Sequence, residues 1–188
     1  APGNRVDLDL TIPTDMVEGG YPITDRFTRR TITLATIRVG GEVVKTPGFE
    51  PPSNPNVPRW IEAIEQPVDK EYRLNARRGG PHGIQWTINE KPWGEHDVAV
   101  FEGGQWVRVR FKNNSGRLHP MHLHGQFFEI LDDGFGRTQP GFKDTVLVPG
   151  QRTVKIRARM NNPGSWMAHC HILEHAELGM MAEIEVTP

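Results

Sequence analysis

Cysteine is almost absent from this sequence, because Cys170 is the only one among 188 residues. A single cysteine excludes an internal disulfide and gives no information on the redox compartment. Long apolar runs are also missing, since no stretch approaches the roughly 18 residues of a membrane-spanning helix. The start at Ala1 lacks the charged and apolar regions of a secretory signal. We expect no membrane insertion, and either a signal already removed or a start inside a longer protein.

The sequence also lacks an excess of charge of either sign. The chain has 22 basic and 23 acidic residues, a net charge of -1, and no one-sided basic run. Nucleic-acid binding and adhesion to acidic membranes both require a basic surface. We therefore predict neither nucleic acid nor a membrane as a partner.

Alternating apolar and polar residues predict an all-β fold. The alternation is clear over 31–39, 107–111 and 154–159, and it is typical of half-buried antiparallel strands. Glycine, proline and asparagine pairs between such runs predict turns. Short strands with turns at this spacing favour a Greek-key β-sandwich. One short helix is predicted over 172–178.

Two segments are expected to lie outside the sandwich. Residues 1–28 are predicted to be a linker or the end of a preceding domain, which places the main domain at 29–188. Residues 40–80 contain five closely spaced prolines between 47 and 58, and they predict a long insertion with one or two helical turns near 60–64. Such loops are often functional, and the sequence leaves open whether this one borders a substrate pocket or covers another domain.

Histidine is concentrated in two short runs. Six of the eight histidines lie in the segments 119–125 and 169–175. A copper ion that transfers electrons favours one thiolate, two imidazoles and a weak axial thioether. Cys170, two histidines and Met180 provide such a set. Zinc is the alternative, but structural zinc sites usually repeat paired cysteines, so copper is favoured.

Strand geometry separates these residues into two groups, because successive side chains point to opposite faces of a sheet. On an extended strand, Cys170 faces one side, and both of its histidine neighbours face the other. The same parity separates His119 from His122 and His124, while His175 and Met180 are assigned by spacing and ligand type. Two metal centres on opposite faces of one sheet follow. The first would contain His119, Cys170, His175 and Met180, and the second His122, His124, His169 and His171.

The remaining candidates are isolated. His82 and His96 are predicted to be solvent-facing loop residues. Asp144 is predicted either to accept a hydrogen bond that orients a histidine or to occupy a turn at the surface.

The two runs resemble a known family. The patterns H-P-x-H-L-H-G over His119–Gly125 and H-C-H-I-x-x-H-x-x-x-G-M over His169–Met180 are similar to those of the C-terminal, third cupredoxin domain of a multicopper oxidase, and most similar to bacterial laccases. The resemblance implies a cupredoxin-like sandwich with catalytic roles for Cys170, His169 and His171. It also implies a type 1 copper at His119, Cys170, His175 and Met180, a type 2 copper at His122, and paired type 3 coppers at His124, His169 and His171.

The implied function is that of a laccase-like oxidase. The type 1 copper would take electrons from one of three kinds of donor: a phenol, for example a diphenol, an aromatic amine, or a metal ion. The electrons would then pass through the His169–His171 strand to a trinuclear cluster that reduces dioxygen to water. The family's cluster takes eight histidines, and this chain has no H-x-H pair outside its two runs. The resemblance therefore implies N-terminal cupredoxin domains as partners and an extracytoplasmic location, periplasmic or secreted.

Two other functions compete with this one. A stand-alone blue-copper electron carrier has no use for four further histidines. An enzyme similar to nitrite reductase couples a type 1 site to a single catalytic copper, which needs a histidine on only one side of Cys170. The oxidase is therefore the favoured prediction.

Overall fold

The computed structural model describes residues 3, 5, 10–13, 15–26, 30–42, 48, 68–80 and 82–188. The chain divides into two compact units, one of Ala1–Arg5 with Trp60–Pro188 and the other of Val6–Arg59. The predicted helical turns near 60–64 and the prolines between 47 and 58 lie outside the described residues. No helix in the described ranges is long and apolar enough to cross a membrane.

The smaller unit contains an antiparallel hairpin of β1 (Gly19–Asp25) and β2 (Ile32–Val39). The sequence predicted a strand at β2, but as a half-buried part of the main domain. Instead, β2 pairs with β1. Strand β1 lies in the segment 1–28 that was expected to be a linker or the end of a preceding domain. Most side chains of β2 are exposed. The closeness of the two strands in sequence explains the difference, because antiparallel neighbours can pair through a short connection.

The larger unit has two sheets that share one apolar core. The six-stranded sheet has the order β4-β3-β6-β11-β8-β9, and the five-stranded sheet has the order β10-β7-β12-β13-β5. This architecture confirms the predicted all-β sandwich. Its elements are β3 (Val68–Arg78), β4 (Ile84–Ile88), β5 (Ala99–Glu102), β6 (Trp106–Asn113), β7 (His119–Leu123), β8 (Phe128–Asp132), β9 (Gln139–Lys143), β10 (Thr145–Val148), β11 (Thr153–Arg159), β12 (Gly164–Cys170), α1 (Leu173–Glu177) and β13 (Met181–Thr187).

Strand β3 corrects the prediction of an insertion over 40–80. Residues 68–78 lie inside the six-stranded sheet, antiparallel to β4 and parallel to β6. Tyr72 and Leu74 are buried there, while charged residues on either side of them point outward. The same alternation is therefore present here as in the other strands, but the prediction assigned these residues to the proline-rich segment before them, so the predicted insertion extends too far at its C-terminal end.

Strand β12 lies in the middle of the five-stranded sheet, between β7 and β13. The register pairs Cys170 with Met121 and His169 with His122. Since β7 and β12 carry the two histidine runs, this pairing places the runs side by side. The sheet thereby builds both candidate centres on neighbouring strands.

Candidate metal centre

The first group of candidate ligands is buried and compact. Cys170 Sγ lies 3.7 Å from Nδ1 of His119 and 3.6 Å from Nδ1 of His175. The two Nδ1 atoms are 3.1 Å apart, and the three ligand atoms all lie within 4.8 Å of one another. The structure thus directs one sulfur and two imidazole nitrogens toward a common point.

The turn after β12 returns His175 and Met180 to Cys170. Helix α1 provides His175, whose carbonyl accepts a hydrogen bond from the Met180 amide at 2.9 Å; the Met180 carbonyl accepts one from the Cys170 amide at 3.1 Å. Gly179 between them has φ +115°, and a Cβ there would meet the Trp86 carbonyl at 2.5 Å. Glycine is therefore required, and it allows the fully buried Met180 to follow directly.

Ser115 orients His119. Its hydroxyl oxygen lies 2.8 Å from Nε2 of His119 and donates to Oδ1 of Asn113 at 2.8 Å. Because the single hydroxyl hydrogen is used toward Asn113, Nε2 of His119 must be the donor to Ser115. The lone pair of His119 is then on Nδ1, which faces Cys170.

Trp86 covers the same group from the side of the six-stranded sheet. Its ring centroid lies 5.0 Å from that of His119 and 4.1 Å from that of His175. The indole is 4% exposed, and its Nε1 has no hydrogen-bond partner in the part of the chain that the structure describes. Trp86 also borders a cavity of about 530 Å³, which is lined by Asn75, Ala76, Ile84, Trp86, Asn114, Ser115, Gly116 and Arg117.

Burial keeps the first group uncharged when no metal is bound. Desolvation, with a smaller effect of His175, lowers the pKa of His119 to about 3. Desolvation also lowers the pKa of His175 and raises the pKa of the Cys170 thiol to about 11. A metal ion that binds here must therefore displace the thiol proton, because the thiolate is the ligand form of cysteine.

The second group lies on the other side of β12 and is only partly buried. The ring centroid of His122 is 4.7 Å from that of His124 and 5.2 Å from that of His171. Nε2 of His124 is 2.9 Å from Nε2 of His169. Burial lowers the pKa of His122, His124 and His169. The four imidazoles are thus close enough to serve metal ions together.

Two members of this group have their Nδ1 atoms occupied by backbone carbonyls. Nδ1 of His169 lies 2.9 Å from the carbonyl oxygen of Cys170, and Nδ1 of His122 lies 2.8 Å from that of Asp144. A carbonyl only accepts, so both Nδ1 atoms carry hydrogen and both Nε2 atoms carry the lone pair. This is the form in which an imidazole binds metal through Nε2.

Asp144 has both of the roles that the sequence left open. It follows β9 at a bend, and its side chain is tied to Arg5 by an ion pair of 2.7 Å. Burial by itself would raise the pKa of Asp144, but hydrogen bonds from Arg5 and Thr145 outweigh it and hold the pKa below its usual value. Its carboxylate and its carbonyl therefore serve different partners.

The isolated histidines differ from each other. His82 lies in an exposed turn, as predicted. His96 does not face solvent: its ring stacks on Trp93 at a centroid distance of 4.3 Å, and its Nε2 lies 3.7 Å from the Glu183 carboxylate. The prediction was wrong for His96, because a contact with a distant strand cannot be read from its own loop.

Comparison with known proteins agrees with the chemistry of the first group. One thiolate and two imidazoles are soft and borderline donors that suit both Cu(I) and Cu(II). The family model described as multicopper oxidase matches residues 65–188. The chain belongs to the multicopper oxidase family. Copper is therefore its cofactor, and the residues present fit that metal.

Individual multicopper oxidases support this membership. The multicopper oxidase mco of Staphylococcus epidermidis is 47% identical over 140 residues, which cover 70% of this chain and 28% of that protein. Putative laccase-16 of rice is 39% identical over 95 residues, which cover 44% of this chain and 20% of that protein. The chain thus spans less than a third of the length of these relatives.

Solved multicopper oxidases share the fold. The metallo-oxidase from Campylobacter jejuni has a TM-score of 0.63 and 26% identity, and the match covers 91% of this chain and 40% of that one. McoA from Aquifex aeolicus gives the same TM-score and identity over 86% of this chain and 38% of its own. These matches confirm the cupredoxin-like sandwich.

Three contacts of the two groups were not predicted from sequence. Ser115, Trp86 and Arg5 each touch a candidate ligand or the residue that orients it. A serine four residues before a histidine carries only a weak signal in the sequence, because serine hydroxyls also bond nearby backbone groups. Arg5 and Trp86 are far from their partners in sequence, and no local pattern identifies them.

Proposed function

We propose that this chain supplies the type 1 copper site and half of the cluster ligands of a laccase-like multicopper oxidase. The arrangement around Cys170 supports this most strongly. Its sulfur belongs to the buried group with His119 and His175, while its neighbours His169 and His171 belong to the second group on the opposite face.

The proposed type 1 ligands are His119, Cys170 and His175, with Met180 as a weak axial ligand. Copper bound at the proposed sites supplies one-electron transfer from a reducing substrate toward dioxygen. The chain provides neutral imidazoles and a buried thiol, and it excludes water from the sulfur. The backbone on either side of Cys170 leads directly to His169 and His171, which gives a short covalent path for electrons between the two groups.

The cavity beside Trp86 is the proposed entry point for the reducing substrate. Trp86 packs on both imidazoles of the first group and also lines the cavity. Arg117 and amide side chains also line it, with no carboxylate among the described lining residues. An aromatic donor with a hydroxyl or amine group fits these features better than a metal ion, which prefers carboxylates.

The second group needs further ligands. We propose that His122 binds the type 2 copper and that His124, His169 and His171 bind the paired type 3 coppers, completed by histidines from N-terminal cupredoxin domains of the same enzyme. We also propose that the enzyme works outside the cytoplasm. In this arrangement, the four imidazoles lie on the surface that faces the partner domains.

Electron counting tests the proposal. The copper-loaded chain of 188 residues should take up one electron per molecule from a good donor and then stop. Addition of the N-terminal domains should start continuous oxygen uptake. In that complex, His124→Ala or His169→Ala should abolish uptake while most of the blue absorption persists, and His82→Ala, in an exposed turn, should have no effect.

Two results would contradict the proposal. Sustained oxygen uptake by the isolated chain would require a different oxygen site. Failure of the N-terminal domains to start turnover would favour the stand-alone electron carrier.

A further inference from the structure

Two residues at the beginning of the chain lie against the second group. A Cβ placed on Gly3 would meet ring atoms of His171 at 3.1 Å. Arg5 donates from Nη1 to the Gly3 carbonyl at 3.0 Å, and its guanidinium binds both carboxylate oxygens of Asp144, at 3.0 and 2.7 Å. Arg5 thus connects the segment beside His171 to the residue beside His122.

The contact continues from Asp144 to His122 through Thr145. The Thr145 hydroxyl donates to Oδ1 of Asp144 at 3.0 Å, and its oxygen lies 3.1 Å from Nδ1 of His122. With its hydrogen used toward Asp144, this oxygen can only accept from Nδ1. The Asp144 carbonyl oxygen, 2.8 Å from Nδ1 of His122, can likewise only accept a hydrogen bond. Both acceptors therefore require the Nδ1–H tautomer of His122.

We propose that Arg5 is a positioning residue for His122. It fixes the Asp144 carboxylate in the orientation that engages the Thr145 hydroxyl, so that the lone pair of His122 stays on Nε2. This inference rests on the proposed role of His122 as a copper ligand.

The geometry explains why a cation is needed at this position. The Asp144 side chain is 18% exposed, so water replaces a lost partner only in part. Among the described residues, Arg5 is the one cationic side chain that hydrogen-bonds this carboxylate. Without it, the carboxylate can rotate and the Thr145 hydroxyl can turn its hydrogen toward Nδ1 of His122. The Asp144 carbonyl then remains as an acceptor for the Nδ1–H tautomer, and the Nε2–H tautomer becomes accessible as a minor form. That tautomer has no lone pair on Nε2 for a metal.

Side-chain nitrogen NMR of the metal-free 188-residue chain at alkaline pH tests the inference, because it reports imidazole tautomers directly. Wild-type protein should show His122 as the Nδ1–H form. Arg5→Ala should add a minor, measurable fraction of the Nε2–H form, because the Asp144 carbonyl still favours Nδ1–H. Arg5→Lys should shift His122 less, because an ammonium keeps the charge but lacks the bidentate fork. Arg108→Ala is the matched control, since Arg108 makes a similar exposed pair with Asp69 on β3 and β6.

Zinc titration of the same proteins gives a second measurement. Loss of a group that contacts a ligand directly weakens metal binding by about tenfold or more. Arg5 acts on His122 only through Asp144 and Thr145, so Arg5→Ala should weaken binding of the second, weaker-bound zinc ion measurably but by less than about tenfold. Arg108→Ala should leave it unchanged. His122→Ala provides the reference for loss of the ligand itself.

The outcomes separate the two proposals. A pure Nδ1–H form of His122 in Arg5→Ala, or an Nε2–H form in wild type, would overturn the role of Arg5. A tautomer change in Arg5→Ala, together with zinc binding that His122→Ala leaves unaltered, would support the positioning role and contradict only the ligand role of His122.

Discussion

Cys170 Sγ and His175 Nδ1 lie 3.6 Å apart and are separated by only five positions in sequence. The strand ends at Cys170, and the short helix begins at Leu173, so a single turn brings both groups to one point. The Ile172 amide also donates to the sulfur at 3.5 Å. The sulfur is thus held by the backbone as well as by its two imidazole neighbours.

Replacement of Cys170 by serine should remove the blue colour of the copper-loaded chain. The intense visible absorption of such a site arises from charge transfer between sulfur and copper, and serine offers no sulfur. Absorption spectra of both proteins at equal copper content measure the effect. A variant that kept the colour would show that Cys170 is not the ligand.

Met180→Leu should leave copper bound and blue, with a raised reduction potential. An axial thioether is the weakest of the four bonds and mainly adjusts the potential. Redox titration followed by the visible absorption measures the shift. Met160→Leu is the control, because Met160 is also fully buried in the core but is not a proposed ligand. Loss of copper from Met180→Leu would contradict the axial role.

Ser115→Ala should lower the free energy of unfolding of the metal-free chain by about 1 to 3 kcal/mol. The substitution leaves the buried Nε2–H of His119 without its acceptor, which is the cost of an unsatisfied buried group. Urea unfolding provides the measurement. Ser165→Ala, at a serine on β12 that bonds the Glu183 side chain at the surface, is the control. Equal stability of wild type and Ser115→Ala would show that the contact does not orient His119.

The stability of the metal-free chain should fall as the pH falls below 6.5. The pKa of His119 is about 3 in the folded chain and 6.5 as its ordinary value, so the unfolded chain binds more protons in this interval. The stabilisation is complete above pH 6.5 and is lost progressively as the pH falls toward about 3. The contribution of one such group has a slope of about 1.4 kcal/mol per pH unit.

Urea midpoints at a series of pH values test this expectation. His119→Gln cannot titrate and should show a shallower pH dependence than wild type. His82→Gln, in an exposed turn, serves as the control and should keep the wild-type slope. Identical slopes in all three proteins would mean that His119 is not held neutral by the fold.

Much of the architecture follows from local patterns. Alternation identified β6 and β11 because their buried residues occur at every second position, and the turn after Cys170 was marked by the spacing of His175 and Met180. The parity of an extended strand also gives the grouping of the histidines, although their roles as copper ligands remain predictions. By contrast, β3 shows the same alternation around Tyr72 and Leu74 but was assigned to the insertion, because it follows the proline-rich segment.

Other features depend on contacts that no local pattern contains. The pairing of β2 with β1 rather than with the main sheets is a choice between competing partners, which sequence alternation does not decide. Arg5 meets Asp144 across 139 positions, and Trp86 packs on His175 from another sheet. Such contacts follow from the completed tertiary structure.

The alternating faces of β12 also limit how this protein can change over generations. Cys170 serves one side of the sheet while His169 and His171 serve the other, so insertion or deletion of one residue in this strand would exchange the faces and dismantle both sites at once. Substitution at other positions of the strand affects at most one side. The two candidate centres are therefore coupled through the parity of this strand at Cys170.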